Sequence, residues 1–390
     1  MLARQTILVR RAAVFAAGWA ASFALFNHVL NARRMLADFR DHLRFLRDFV
    51  DGKAPMPGHF LFHLLTAGIS RLTGLSLEVS AAVVLSLAVA ACALIVHELY
   101  LGSGEDAGDS EWRRSAATIA ALTTSAIYFK GFNSIYVGQS GPNVWHNPTS
   151  IVLKPFALVA AIWLERIIFD GARGRAYVVV IAAVLIGMLA KPAFALVLIP
   201  TAGVMAAYMM LPPRWQKLGA DRLPTSAPTR NFLMALVLLS AALLLAQALY
   251  IFGERRGITI AFLGVWRNQT PSVAISMLLA LAFPLSVTNL DVKRGVPLRG
   301  LGLAWGFTIA GAVIYAFLAE SGGAFMDGNF SWGYQIALAI LFAFAFRSYA
   351  RQWRAAPHGR DFVVTTALLT LHVASGAFYL YQIVFLRHFY

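Results

Sequence analysis

Residues 36–63 read LADFRDHLRFLRDFVDGKAPMPGHFLFH, a stretch with four aspartates, three histidines and several arginines in a chain whose charged content is only 13%. Met35, Phe39, Leu43, Leu46 and Val50 recur at intervals of three and four, which gathers them into one apolar stripe of a helix. Asp38, Asp41 and His42 fall together on another face. Such a helix is expected to lie in a membrane interface, with its charges either serving chemistry or forming a solvated face. Pro55 and Pro57 end it, and His59 and His63 follow at an i,i+4 spacing as the next apolar segment begins. A histidine pair at that spacing can ligate a metal, but no third ligand is evident.

The surroundings of this stretch are those of a membrane protein. The 390 residues are 59% hydrophobic and 13% aromatic, with a mean hydropathy of +0.67. Apolar runs of spanning length recur from end to end. The sequence predicts an all-α polytopic membrane protein in which residues 1–390 form a single transmembrane domain. About eleven spans are expected, at 12–30, 74–99, 116–129, 151–168, 176–193, 195–211, 231–251, 272–289, 300–319, 332–346 and 362–386. The N-terminal MLARQTILVRR and its apolar continuation read as a retained first span, since no small-residue cleavage site follows. Cys92 is the single cysteine, so no disulfide can form within one chain.

A net charge of +15 in a soluble protein would suggest nucleic acid, but in a polytopic chain it must first be divided between the two sides of the membrane. With the N-terminus inside, every inner loop carries arginine or lysine, as the positive-inside rule requires. No nucleic-acid partner is expected. The outer loops are then 31–73, which holds the interfacial helix, 130–150, a tight turn at Lys191-Pro192, 252–271, 320–331 and the C-terminus. They collect His28, His42, His59, His63, His146 and His388, six of the nine histidines. The working face is therefore expected outside, the periplasmic face of a bacterial inner membrane.

The second outer loop continues into a span as KGFNSIYVGQSGPNVWHNPTSIVLKPF, residues 130–156. Its Gly, Pro, Asn and Ser content predicts irregular backbone, and Asn143, Trp145, His146 and Asn147 are candidate substrate contacts. The plainer reading is a connector whose polar side chains cap neighbouring helices. Lys154 and Lys191 each precede a proline, which pushes them out of helical geometry. An ammonium at membrane depth costs roughly 2.5–3.5 kcal/mol and usually faces a cavity or an anion, unless it snorkels to the headgroups. With Arg255 and Arg256 at the same level, a lipid phosphate or pyrophosphate is the expected anion. The last outer loop and its continuation, ESGGAFMDGNFSWGYQ at 320–335, offer Asp327, Asn329 and Trp332. Aromatic faces beside amides and carboxylates suit sugar rings.

A first span, then an outer loop with acidic residues on an interfacial helix, then many spans joined by short inner loops, resembles the GT-C superfamily of membrane glycosyltransferases. The matching stretch is Asp38-Phe39-Arg40-Asp41-His42 followed by Pro57-Gly58-His59. The resemblance covers topology over most of the chain, but its motif content is one acidic pair. It implies sugar transfer from a polyprenyl-phosphate donor to a lipid or glycan acceptor, by single displacement with inversion. Asp38 or Asp41 would be the base with His42 as its partner, and Lys154, Lys191, Arg255 and Arg256 the phosphate clamp. His59, His63, Asn143, Trp145, His146, Asn147, Asp327, Asn329 and Trp332 complete the candidate substrate contacts. No adjacent Asp-Asp or Asp-Glu occurs, which leaves the choice of base open. With the last span expected at 362–386, no large C-terminal soluble domain is expected, unlike in the complete-oligosaccharide transferases. A divalent cation, Mg or Mn, bridging carboxylate and phosphate is compatible with these residues and not required by them. Two rival readings are a polysaccharide polymerase or ligase led by a loop histidine or arginine, and a transporter or flippase of lipid-linked glycan. The latter would spread polar residues through both bilayer halves, whereas here they concentrate on one side.

Overall fold

The N-terminal arginines and the apolar run after them form one helix, α1 (Leu2–Leu30), which packs along α4 (Leu77–Leu101). Gly18 of α1 lies against Ala90 and Ala93 of α4, the small-residue contact that lets two apolar helices approach closely. A computed structural model of the chain describes residues 2–32, 35, 37–101, 111–129, 140–211, 226–252, 257–355 and 359–386. Between these two helices lie α2 (Ala37–Val50) and α3 (Leu61–Thr73). The chain continues as α5 (Glu111–Thr123), α6 (Pro148–Phe169), α7 (Arg175–Ala190), α8 (Ala193–Tyr208) and α9 (Ala227–Phe252). It is completed by β1 (Ile258–Ile260), α10 (Gly264–Gln269), α11 (Val273–Lys293), α12 (Arg299–Phe317), β2 (Leu318–Glu320), α13 (Ser331–Ala355) and α14 (Arg360–Tyr381).

Nearly all of this is helix, as the sequence predicts, but β1 and β2 pair antiparallel with Thr259 opposite Ala319, so the fold is not wholly α. Among the described residues, seven helices are long and apolar enough to cross a membrane. They overlap the expected spans at 12–30, 74–99, 231–251, 272–289, 300–319, 332–346 and 362–386. The other four expected spans are shorter or more charged. α7 and α8 have 16 residues each, and α6 carries Lys154, Glu165 and Arg166.

The expected span at 116–129 is corrected more sharply, because helix stops at Thr123. The chain then runs as irregular backbone that is satisfied from elsewhere. Ser125 N–H donates to the His372 carbonyl at 3.1 Å, Ile127 N–H to Leu279 at 3.0 Å and Tyr128 N–H to Ser375 Oγ at 2.8 Å. Irregular backbone is tolerated in an apolar setting only with such partners. A Cβ on Gly376 of α14 would stand 1.5 Å from the Thr123 carbonyl oxygen, so α14 can reach this break only with glycine there.

Two local expectations divide. Lys191 is extended, at φ −170° and ψ 132°, between α7 and α8, as a residue preceding proline should be. Lys154 is not displaced by Pro155, because α6 runs straight through it. Packing of α6 against α4 and α7 holds the helix where the proline removes one hydrogen bond.

The seating of α2 is also corrected. Its stripe residues Phe39, Leu43 and Leu46 are buried within the protein, with Phe39 edge-on to Phe26 of α1 at 6.2 Å. The helix is held by the bundle and by an Arg47–Glu78 pair to α4, and only Phe45 and Val50 offer large exposed apolar surface. α13 is the most buried long helix. At its start the backbone of Tyr334 approaches Gly311 of α12 so closely that a Cβ there would fall 2.7 Å from Tyr334 Cα. The N-termini of α6 and α13, the α7–α8 break, the C-terminus of α12 and α2 therefore meet at one end of the bundle.

Candidate functional site

Asp38, in the first turn of α2, enters that meeting point. The side-chain amide of Asn147 donates to Asp38 Oδ2 at 2.8 Å. Asn147 is the N-cap of α6, where its Oδ1 accepts from Ser150 N–H at 3.0 Å and from the Thr149 hydroxyl at 2.9 Å. The same oxygen accepts from Lys191 Nζ at 3.2 Å, so one amide links carboxylate and ammonium. Lys191 Nζ also stands 3.6 Å from the ring centre of Trp332, a cation–π contact that keeps the amine in place. His146 Nε2 lies 3.7 Å from Asp38 Oδ2, and its Nδ1 is 2.5 Å from the Tyr379 hydroxyl.

Asp38 and Trp332 of this group line a cavity of about 210 Å³, together with Ser140, Gln269, Asp327 and Gln335 among others. Its walls are largely polar. Gln335 leaves its buried Oε1 without a partner among the described residues, as does the hydroxyl of Ser140, whose φ is +49°. Strained, unsatisfied groups around a cavity are what a ligand-binding site costs the fold.

Burial dominates the electrostatics. It pushes His146 down to about 4, against the pull of Asp38, so the imidazole is neutral at physiological pH. It lowers Lys191 to about 7, again opposed by Asp38. A lysine poised there is easily recharged by an incoming anion. Behind it sits a second cluster. His42 Nδ1 and His63 Nε2 are 3.2 Å apart, and the His42 and His59 rings are 6.1 Å apart. Burial, with Lys191 next in importance, takes His59 down to about 3, and burial with the neighbouring His63 holds His42 well below the ordinary histidine range.

Beside the histidines runs an apolar groove of about 630 Å³ between Met56, Pro57 and Phe60 on one side and Met188, Leu189 and Leu243 on the other. Tyr250 of α9 donates to the Met56 carbonyl at 3.0 Å across it.

The structure thus separates the expected site residues. Asp38, Asp327 and Trp332 line the cavity, and His146, Asn147 and Lys191 stand directly behind Asp38 and Trp332. Asp41 does neither: it is half-exposed and pairs with Arg44 at 3.4 Å. His42 is not the partner of Asp38, because its ring turns to His63 on α3. His59 and His63 belong to that second cluster. Asn143 caps the broken end of α5, donating to the carbonyls of Ala121 and Thr124 at 2.8 and 2.9 Å. Lys154 lies two turns into α6 and donates to Asn143 Oδ1 at 2.8 Å, away from the cavity. Trp145 is core, packed on Phe26 at 6.3 Å. Asn329 donates to Glu320 at 2.8 Å and braces β2. Arg255 and Arg256 lie outside the described residues. Tyr379 and Gln335 were not expected. Gln335, a lone amide at the start of the apolar run of α13, carried a legible signal, whereas Tyr379 sits among other aromatics and carried none.

Among the described residues no group of three or more His, Cys, Asp or Glu is placed to hold a metal ion. Asp38 already accepts from Asn147 and has Lys191 close by, a cationic setting that does not suit a divalent ion. The chain matches no protein-family model and no curated protein.

Proposed function

We propose that this chain is a membrane glycosyltransferase that moves a sugar from a polyprenyl-phosphate-linked donor to a lipid or glycan acceptor, on the outer face of a bacterial inner membrane. The observation that carries the reading is Asp38, a carboxylate oriented by Asn147 and His146 at the edge of a polar cavity, with Lys191 on the same amide.

In this reading the acceptor hydroxyl enters the cavity and attacks the anomeric carbon of the donor. Its proton passes to Asp38, the bond from the anomeric carbon to the phosphate oxygen breaks, and the electron pair leaves with the lipid phosphate. Lys191, in its ammonium form, faces that growing negative charge. Trp332 offers a ring face to the sugar and Gln335 and Asp327 offer hydrogen bonds to its hydroxyls. The apolar groove along α7 and α9 has the character needed by a polyprenyl chain. One displacement inverts the anomeric centre.

Transfer by the purified protein from a polyprenyl-phosphate-linked sugar, together with mass spectrometry of the lipid that copurifies, tests the proposal. A protein that carries no polyprenyl phosphate and transfers nothing from such donors is not this enzyme. A second reading, a ligase acting on lipid-linked chains with a leading histidine, is favoured only by the placement of His146 beside Asp38. Transfer that survives Asp38→Asn but not His146→Gln would select it.

A further inference from the structure

At the opposite end of the bundle a second cavity, of about 560 Å³, opens between α1, α4, α6, α12 and α13. α6 joins the two ends. Asn147 caps its N-terminus and Arg166 lies in its last turn, so at 1.5 Å per residue they stand about 30 Å apart, the thickness of bilayer hydrocarbon.

The charges around this cavity do not balance. Arg11, Arg166, Arg299, Arg347 and Arg351 line it, against Glu98, Glu165 and Asp170. Each acid is already taken: Arg11 pairs with Glu98, Arg347 grips both oxygens of Glu165, and Arg299 reaches Asp170 at 3.2 Å. Arg166 and Arg351 have no carboxylate within ion-pair distance among the described residues, and Arg351 feels Asp291 and Glu165 only from farther off. The Arg166 guanidinium lies 4.7 Å from the ring centre of Trp163, which orients it while leaving its N–H edge to the cavity. Leu94, Ile95, Val159 and Ile162 form the apolar part of the wall.

We infer that this cavity binds the phosphate group of an anionic phospholipid, with Arg166 and Arg351 on the phosphate and the α4–α6 wall against an acyl chain. Two guanidiniums with free edges suit the spread oxygens of a phosphate better than a point charge would. A soluble phosphate compound would use the arginines but leave the hydrocarbon wall exposed to water, which favours the lipid. The positive-inside reading puts this end at the cytosolic leaflet, where anionic lipids attract basic clusters. The site is independent of the transferase reading, since it shares no residue with the Asp38 cavity.

Delipidated full-length protein in neutral detergent tests it by native mass spectrometry. Phosphatidylglycerol should be retained at least ten-fold more tightly than phosphatidylcholine. The Arg166→Gln/Arg351→Gln variant should lose that preference. Both side chains are exposed, so the fold should be kept, and the exposed pair Arg40→Gln/Arg44→Gln at the other end should leave retention unchanged. Equal retention of the two lipids by the unaltered protein overturns the proposal whatever the variants do. Displacement of phosphatidylglycerol by equimolar glycerol 3-phosphate overturns the lipid assignment and makes the ligand a soluble phosphate.

Discussion

The Asn147 side chain bonds Asp38 with its nitrogen at 2.8 Å and Lys191 with its oxygen at 3.2 Å, while also capping α6. A single amide at the start of α6 thus fixes the spacing between a carboxylate on α2 and an amine at the α7–α8 break. Neither neighbour can rotate without breaking a bond to a rigid helix end.

That arrangement distinguishes the two aspartates which the sequence leaves equivalent. Asp38→Asn keeps the size of the side chain but cannot accept a proton. It should lower sugar transfer by roughly 10²-fold or more, with donor binding kept. Asp41 is half-exposed and paired with the exposed Arg44 and, at 4.0 Å, Arg40, so Asp41→Asn should stay within about two-fold of wild type, since exposed ion pairs contribute little. Equal losses in both, measured as kcat in detergent, would remove Asp38 from its assigned role.

Lys191→Met replaces the amine with an apolar chain of similar length over Trp332. The partner left behind is an amide rather than a bare charge, so stability should change little. Donor binding should weaken by about ten-fold, the usual effect of losing one charge-assisted hydrogen bond of about 1.5 kcal/mol. A donor Kd unchanged in equilibrium binding would leave the lysine a structural role only.

Periodicity made most of the fold legible, because a helix that buries one face or crosses a bilayer must repeat its apolar residues. α2 was readable for that reason, while the extended Lys191 was readable from the proline that follows it. What periodicity cannot convey is which body the apolar stripe meets. The stripe of Phe39, Leu43 and Leu46 is the same pattern whether it faces lipid or protein, and it faces protein. The site divided in a similar way. Unusual residue types flagged Asp38, Asn147 and Lys191, but Asn143, Trp145 and Lys154 looked alike in the sequence and turned out to hold the loop and the end of α5. The break at Thr123 was not legible either, since its cause lies in α11 and α14, more than 150 residues away.

The close approach of α14 to that break makes a stability prediction. Gly376→Ala would force a methyl group into the Thr123 carbonyl, where backbone rather than a flexible side chain must move. It should cost at least about 2 kcal/mol, at the severe end of overpacking. Gly68→Ala in α3, with nothing within 4 Å of the added carbon, should be neutral or stabilising because alanine suits a helix better. Thermal unfolding in detergent compares the two, and equal melting temperatures would contradict the packing described.

Orientation can be read with thiol reagents, because the only cysteine, Cys92, is buried. Lys53, exposed between α2 and α3, stands at the Asp38 end, and Arg173, exposed between α6 and α7, stands at the other. Lys53→Cys should label in intact cells and Arg173→Cys only after permeabilisation, as the positive-inside rule requires. The reverse pattern would put the Asp38 cavity in the cytosol.

The neutral histidines give stability a pH dependence of definite sign. His59, held at about 3, and His146, held at about 4, bind fewer protons in the folded chain than in the unfolded one, where histidine titrates near ~6.5. Stability must therefore be full above about 6.5 and fall as the pH drops from there toward 4, because the unfolded state gains protons that the buried rings refuse. The melting temperature in detergent should drop by several degrees between pH 7.5 and pH 5. His59→Gln removes one of these buried rings without adding a charge, so its profile over the same interval should be flatter than that of the unaltered protein. A wild-type melting temperature that stays constant, or rises, as the pH falls through this window would show that these rings are already protonated in the folded protein, and the neutral setting assigned to His146 beside Asp38 would not hold.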